Sequence, residues 1–175
     1  DHRRMSRPTE RIGFIGLGSQ GGPMAHRIVD AGMDLIVWAR RPEVLASYEA
    51  KGAKTAASVI ELAKHCDHIG VCVVNDADVE DICADLIPFM AEGSRIAIHS
   101  TILPETCVAL AENCASRGIV LIDAPVSGGG PGIDGTFNQF ESNTQTRGST
   151  LLGVGAYMDY PAISDGLDLT TKVVW

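Results

Sequence analysis

Aromatic side chains are scarce in this sequence, at 5% of residues, although 45% of the chain is hydrophobic. That balance excludes an aromatic-rich β-sandwich and a disordered chain, and favours an interior packed from Ala, Val, Ile and Leu, as in α/β proteins. No apolar run approaches the roughly 20 residues that span a bilayer, so no membrane partner is expected. Positive charge is also short. Fourteen basic against 22 acidic residues give a formal charge of −8, which repels nucleic acid over the surface as a whole and leaves no nucleic-acid partner expected. The five cysteines, Cys66, Cys72, Cys83, Cys107 and Cys114, are odd in number and contain no C-x-x-C pair. They read as buried free thiols in a reducing cytosol, which makes the expected location cytoplasmic. None of His2, His26, His65, His68 and His99 falls in a metal-ligand pattern, so no metal is expected. No internal repeat is visible.

At 175 residues the chain suits one complete domain plus a fragment. Residues 1–10 hold the only concentrated positive charge, in "DHRRMSRPTE", without the apolar stretch of a signal peptide, and read as a disordered leader. From residue 11 to about 136, short apolar runs alternate with longer helical periodicity. "RIGFIG" (11–16), "DLIVWA" (34–39), "HIGVCVV" (68–74), "RIAIH" (95–99) and "IVLID" (119–123) predict strands. Helices are expected near 20–31, 42–51, 57–65, 77–91 and 104–117. Asp76 stands before one helix start, Pro104 sits early in another, and Gly118 ends it. Strands apolar on both faces and joined by helices imply a doubly wound parallel sheet of the Rossmann type, covered on both sides. Residues 137–175 carry no continuous period of either kind and read as an irregular, unrecognised tail.

The stretch "RIGFIGLGSQGGPMA" places Gly16, Gly18 and Gly21 as G-x-G-x-x-G between a predicted strand and a predicted helix. Gly16 would make the tight turn, Gly18 would admit a pyrophosphate to the backbone, and Gly21 would allow close helix–strand packing. The loop Gly16, Leu17, Gly18, Ser19, Gln20, Gly21 is therefore the candidate cofactor cradle, with the helix start supplying partial positive charge. About 20 residues further on, a NAD-binding domain usually carries an acid for the ribose hydroxyls. Here the strand runs into "VWARRPE". Arg40 and Arg41 stand in that place, where guanidinium groups clamp a 2′-phosphate or merely solvate a loop; NADP is favoured over NAD.

These motifs carry a resemblance. "GFIGLGSQGGPMA" is similar to the N-terminal signature G-F-I-G-L-G-x-M-G-x-P-M-A of the 3-hydroxyisobutyrate dehydrogenase family of β-hydroxyacid dehydrogenases, with Gln20 in place of methionine. "HSTILPET" resembles the family's S-T-x-x-P-x-T segment, and "DAPVSGGGPGIDGT" resembles its substrate motif. The resemblance implies that Val74, Asn75 and Thr101 lie at the cofactor. It also implies that Ser127, Gly128 and Gly129 hold the carboxylate of a small substrate through a hydroxyl and backbone N–H groups.

The family continues into a helical domain that supplies a catalytic lysine in a K-x-x-x-N segment and most of a dimer interface. That segment is not recognisable after Thr136. Lys172 lacks both the glycine-rich approach and the following asparagine, so the catalytic residue is left unassigned. A homo-oligomer is open to a full-length protein that carries the helical domain. The expected function is hydride transfer between NADP and a short 3-hydroxy acid or its semialdehyde. The rivals are a truncated or frame-shifted dinucleotide-binding product without turnover, and a relative acting on tartronate semialdehyde, glyoxylate or 6-phosphogluconate.

Overall fold

The computed structural model describes residues 10–126. The rest of the leader, Ser127, Gly128, Gly129, Lys172 and the tail from 137 lie outside the described residues. Apolar segments of four residues form most of the strands: β1 (Ile12–Ile15), β2 (Leu35–Trp38), β4 (His68–Val71), β5 (Arg95–Ile98) and β6 (Val120–Asp123), with the two-residue β3 (Lys54–Thr55) between them in sequence. The helices are α1 (Gly21–Asp30), α2 (Ala46–Glu49), α3 (Val59–His65), α4 (Asp76–Leu86) and α5 (Pro104–Ala115), and a single 3-10 turn spans Pro42–Val44.

All pairings are parallel, in the order β3-β2-β1-β4-β5-β6. The register sets Ile15 of β1 between Trp38 of β2 and Val71 of β4. Because side chains alternate along a strand, Ile12 and Phe14 face one way and Ile15 the other. The two faces accordingly have separate cores. Ile12, Phe14, Leu35 and Val37 pack with Met24 and Ile28 of α1 and with Tyr48 of α2. Ile15, Ile36, Ile69, Val71, Ile96 and Ile98 pack with Leu62, Ile82, Leu86 and Leu110 of α3, α4 and α5. The sheet is thus covered on both sides, as the apolar strands imply.

Four expectations are corrected by local chemistry. β3 has no apolar signal to read, since both of its residues are exposed at the sheet edge. The stretch 42–51 is not one helix but the 3-10 turn followed by the single turn of α2. Helix α4 stops at Leu86 rather than 91, because Pro88 has no N–H for a further rung and its ring opposes the carbonyl four residues back. Strand β4 stops at Val71 rather than 74, and the reason lies in Ser100, described below.

The cap of α4 is Asn75, whose Oδ1 accepts the Asp78 N–H at 2.9 Å. Asp76 is instead the first helical residue, and its carboxylate accepts the Leu103 N–H at 2.9 Å, tying α4 to the start of α5. That bond holds the Asp76 carboxyl below its ordinary pKa. Pro104 is the first residue of α5, and Gly118, at φ +67°, closes the helix exit. Of the cysteines, Cys66, Cys83 and Cys114 are buried, whereas Cys72 and Cys107 are only half-buried; all five are free thiols.

Candidate functional site

Leaving β1 the chain turns toward β2, while β4 lies on the other flank of β1. The loops after β1 and β4 therefore diverge and leave a crevice at the carboxyl ends of the strands, where open α/β sheets bind ligands. A cavity of about 250 Å³ occupies this place, lined by Gly16, Leu17 and Gly18 after β1, Trp38 at the end of β2 with Ala39, Arg40, Arg41 and Val44 beyond it, Cys72, Val73 and Val74 after β4, and Asp78 of α4.

The three glycines differ in what surrounds them. Gly16 has φ +92°, and a Cβ there would lie 2.0 Å from the Cys72 carbonyl oxygen. A Cβ on Gly21 would lie 1.8 Å from the Gly16 carbonyl oxygen. Both positions are closed to a side chain by backbone. Gly18 is the opposite case, with nothing within 4 Å of where its Cβ would stand. The outer limb of the loop thus faces open space over the cavity. Behind it, α1 starts without a side-chain cap and without an acidic residue in its first turn. The Gly22 N–H closes on the Gly18 carbonyl at 2.8 Å and Pro23 has no N–H, so what the helix start offers an anion is the positive end of its dipole, unopposed by an acid.

The loop after β4 is shaped by a residue that sequence reasoning passed over. The buried Ser100 hydroxyl accepts the Val73 N–H at 2.9 Å and donates to the Val73 carbonyl at 2.8 Å. Both ladder groups of Val73 are thereby taken by one side chain. Strand β4 ends, and Val74 is presented 88% exposed at the rim of the cavity. The serine of the "HST" segment was visible; its bond to a strand two elements earlier required the strand order.

Next to Ser100, His99 is buried, stacks on Phe14 with centroids 6.0 Å apart, and donates its Nδ1–H to the Ala124 carbonyl at 3.0 Å. Burial pushes its pKa down to about 4, so it is neutral at neutral pH. His68, at the opposite end of the sheet, is pushed down to about 4 mainly by burial. Burial likewise raises the Cys72 thiol to about 11, so the cavity holds a thiol and not a thiolate.

The structure brings Gly16, Leu17, Gly18, Arg40, Arg41 and Val74 to one cavity. Ser19, Gln20 and Gly21 complete the turn into α1 without lining it, the Asn75 side chain caps α4, and Thr101 is exposed beyond β5. Trp38, Cys72 and Asp78 were not singled out from sequence. Among the described residues no group of three His, Cys, Asp or Glu could hold a metal ion, and no helix is long and apolar enough to cross a membrane.

Residues 11–137 match the family model of the NAD binding domain of 6-phosphogluconate dehydrogenase. Mitochondrial 3-hydroxyisobutyrate dehydrogenase of Rattus norvegicus is 33% identical over 121 residues, which is 67% of this chain and 36% of that protein. The chain belongs to the β-hydroxyacid dehydrogenase family. An uncharacterized oxidoreductase of Mycobacterium tuberculosis is 46% identical over 124 residues, covering 69% of this chain and 42% of that one. Among solved structures, a putative oxidoreductase from Mycobacterium avium 104 has a TM-score of 0.68 at 38% identity over 71% of this chain and 45% of its own. The family's parallel sheet and flanking helices are those seen here. The chain spans about two fifths of the length of these curated relatives.

The residues present fit an adenine dinucleotide. An open glycine backbone, an acid-free helix start and a crevice between diverging loops supply what a pyrophosphate requires.

Proposed function

We propose that residues 10–126 bind NADP in preference to NAD, and that the protein transfers a hydride between it and a short 3-hydroxy acid or its semialdehyde. The observation that carries this reading is the cavity at the switch point, where the glycine loop after β1 and the arginines after β2 line one space. Bound there, the dinucleotide would supply or accept the hydride.

Each part of the chain has a distinct task in this reading. The loop at Gly16 to Gly21 and the bare start of α1 receive the pyrophosphate. Arg40 and Arg41 meet the 2′-phosphate at the far end of the cavity. Ser100 fixes the Val73–Val74 segment against which the cofactor lies, and Val74, Asn75 and Thr101 mark the side of the nicotinamide half. Ser127, Gly128 and Gly129 offer a hydroxyl and small-residue N–H donors to the substrate carboxylate. The loop "DAPVSGG" favours a small carboxylic acid over a sugar phosphate as substrate, and the free cysteines fit a cytoplasmic protein.

A second reading, cofactor binding without turnover, is favoured by one observation. Reduction of a carbonyl needs a proton donor at the oxygen. Among the described lysines none lines the cavity: Lys51 pairs with Asp30, Lys54 with Asp34, and Lys64 lies over the Phe89 ring.

Fluorescence titration of the chain with NADPH and NADH, followed in the same cuvette by a short semialdehyde, separates the readings. NADPH binding with turnover supports the dehydrogenase. Binding without turnover supports the second reading, and the absence of binding overturns both.

A further inference from the structure

The end of β2 carries no acid. The chain reads Trp38, Ala39, Arg40, Arg41, and the carboxylate that a NAD-type site uses for the ribose hydroxyls is missing from its usual element. The structure nevertheless brings a carboxylate there from elsewhere. Asp78, in the first turn of α4, lines the same cavity, and its Oδ1 lies 2.7 Å from Nη2 of Arg40. Thirty-eight residues separate the two in sequence. Only the placement of β4 beside β1 and α4 above it makes them neighbours.

The two partners are held unequally. The Asp78 side chain is 20% exposed, and its backbone N–H is fixed by the Asn75 cap at 2.9 Å. It also sits at the positive end of α4, which favours a carboxylate there. The Arg40 side chain is 63% exposed on a long stem. Arginine is therefore the movable member and aspartate the fixed one.

We propose that Asp78 sets the cofactor preference of this site, serving as the ribose acid of a NAD-type site supplied from α4 instead of β2; this rests on the dinucleotide reading above. The pair then works as a selector. With NAD, the Asp78 carboxylate accepts a ribose hydroxyl and Arg40 remains its counter-ion. With NADP, the 2′-phosphate draws Arg40 away, because phosphate carries more charge and takes the guanidinium on two N–H groups. Asp78 is then left facing a like charge. The fixed acid penalises NADP and the two arginines favour it, so the site accepts both cofactors with a modest preference.

The sign of one substitution tests this. Isothermal titration of the full chain with NADPH and NADH, and with the fragments 2′,5′-ADP and 5′-ADP, is compared for the native chain and Asp78→Asn, with thermal unfolding to confirm folding. Asp78→Asn should raise the NADPH-to-NADH affinity ratio about tenfold, the size expected for removing one like charge a few ångströms from a phosphate in partial solvent. The fragments should follow the same order. Should the Asn variant lose stability, Asp78→Ser repeats the test with an uncharged side chain suited to a first helical turn. An unchanged ratio, or weaker NADPH binding, would show that Asp78 only anchors Arg40 and would overturn the proposal. If the native chain binds neither dinucleotide, the dinucleotide reading itself fails and the selector fails with it.

Discussion

The first turns of α1 and α3 are built in opposite ways. At α3 the Ser58 hydroxyl accepts the Glu61 N–H at 3.1 Å, while the Glu61 carboxylate reaches back to the Ala57 N–H at 2.6 Å. Orphan donors are satisfied reciprocally, and a negative charge sits on the positive end of the dipole. At α1 the turn is Gly21, Gly22 and Pro23, with no capping side chain and no acid. Among the described helices α1 alone lacks an acidic residue in its first turn. An end completed by its own side chains is closed to an anion. The unfinished end directly follows the glycine loop that lines the cavity, whereas the finished one follows a segment with no residue there. A helix start that lacks its own capping side chain and acid is therefore the better guide to the site than the places where the chain is most ordered.

The largest expected effect on stability comes from the glycines that close the α1 turn. Gly16→Ala and Gly21→Ala each drive a Cβ into backbone, so each should cost about 3–5 kcal/mol in denaturant unfolding. For Gly21 the better helix propensity of alanine recovers only about 1 kcal/mol. A cost under about 1 kcal/mol at either position would mean that the turn is not as tight as described.

Acid comes next. His68 and His99 have pKa values of about 4 in the folded chain against an ordinary 6.5. Between those values the unfolded chain binds protons that the folded one does not, so stability is full above pH 6.5 and falls as pH drops toward 4. Each ring contributes up to about 3 kcal/mol, read from urea midpoints across that range. Since neither ring lines the cavity, dinucleotide affinity of the still-folded chain should not follow that titration.

Smaller effects sharpen the contrast between the two helix ends. Ser58→Ala removes the α3 cap and should cost about 1 kcal/mol without changing dinucleotide affinity. Gly18→Ala should do the reverse. Its Cβ meets nothing, so stability should stay within about 0.5 kcal/mol, while dinucleotide binding weakens by at least about tenfold. If the Ser58 variant lost binding, or the Gly18 variant lost stability, the two ends would not be separable in the way described.

What the chain showed before folding was the local part. Gly16, Gly18 and Gly21 are read from spacing because the turn they build spans six residues. Five strands were read because a parallel sheet buried on both faces needs continuous apolar runs. The two-residue β3 has no such run: its partner β2 and the edge position decide it. The non-local part of the site was hidden for the same reason. Asp78 meets Arg40, and Ser100 meets Val73, only through the order β2-β1-β4-β5. A search for an acid near residue 40 looks along the chain, whereas the fold supplies it from α4.

Amide hydrogen exchange of the chain with and without NADPH, followed peptide by peptide, tests the central claim most directly. The account predicts slower exchange over residues 16–22 at the α1 start, with protection also at 39–41 and 73–74, and no change over 57–61 at the capped start of α3. Equal protection at both helix starts, or none at 16–22 under saturating NADPH, would contradict it.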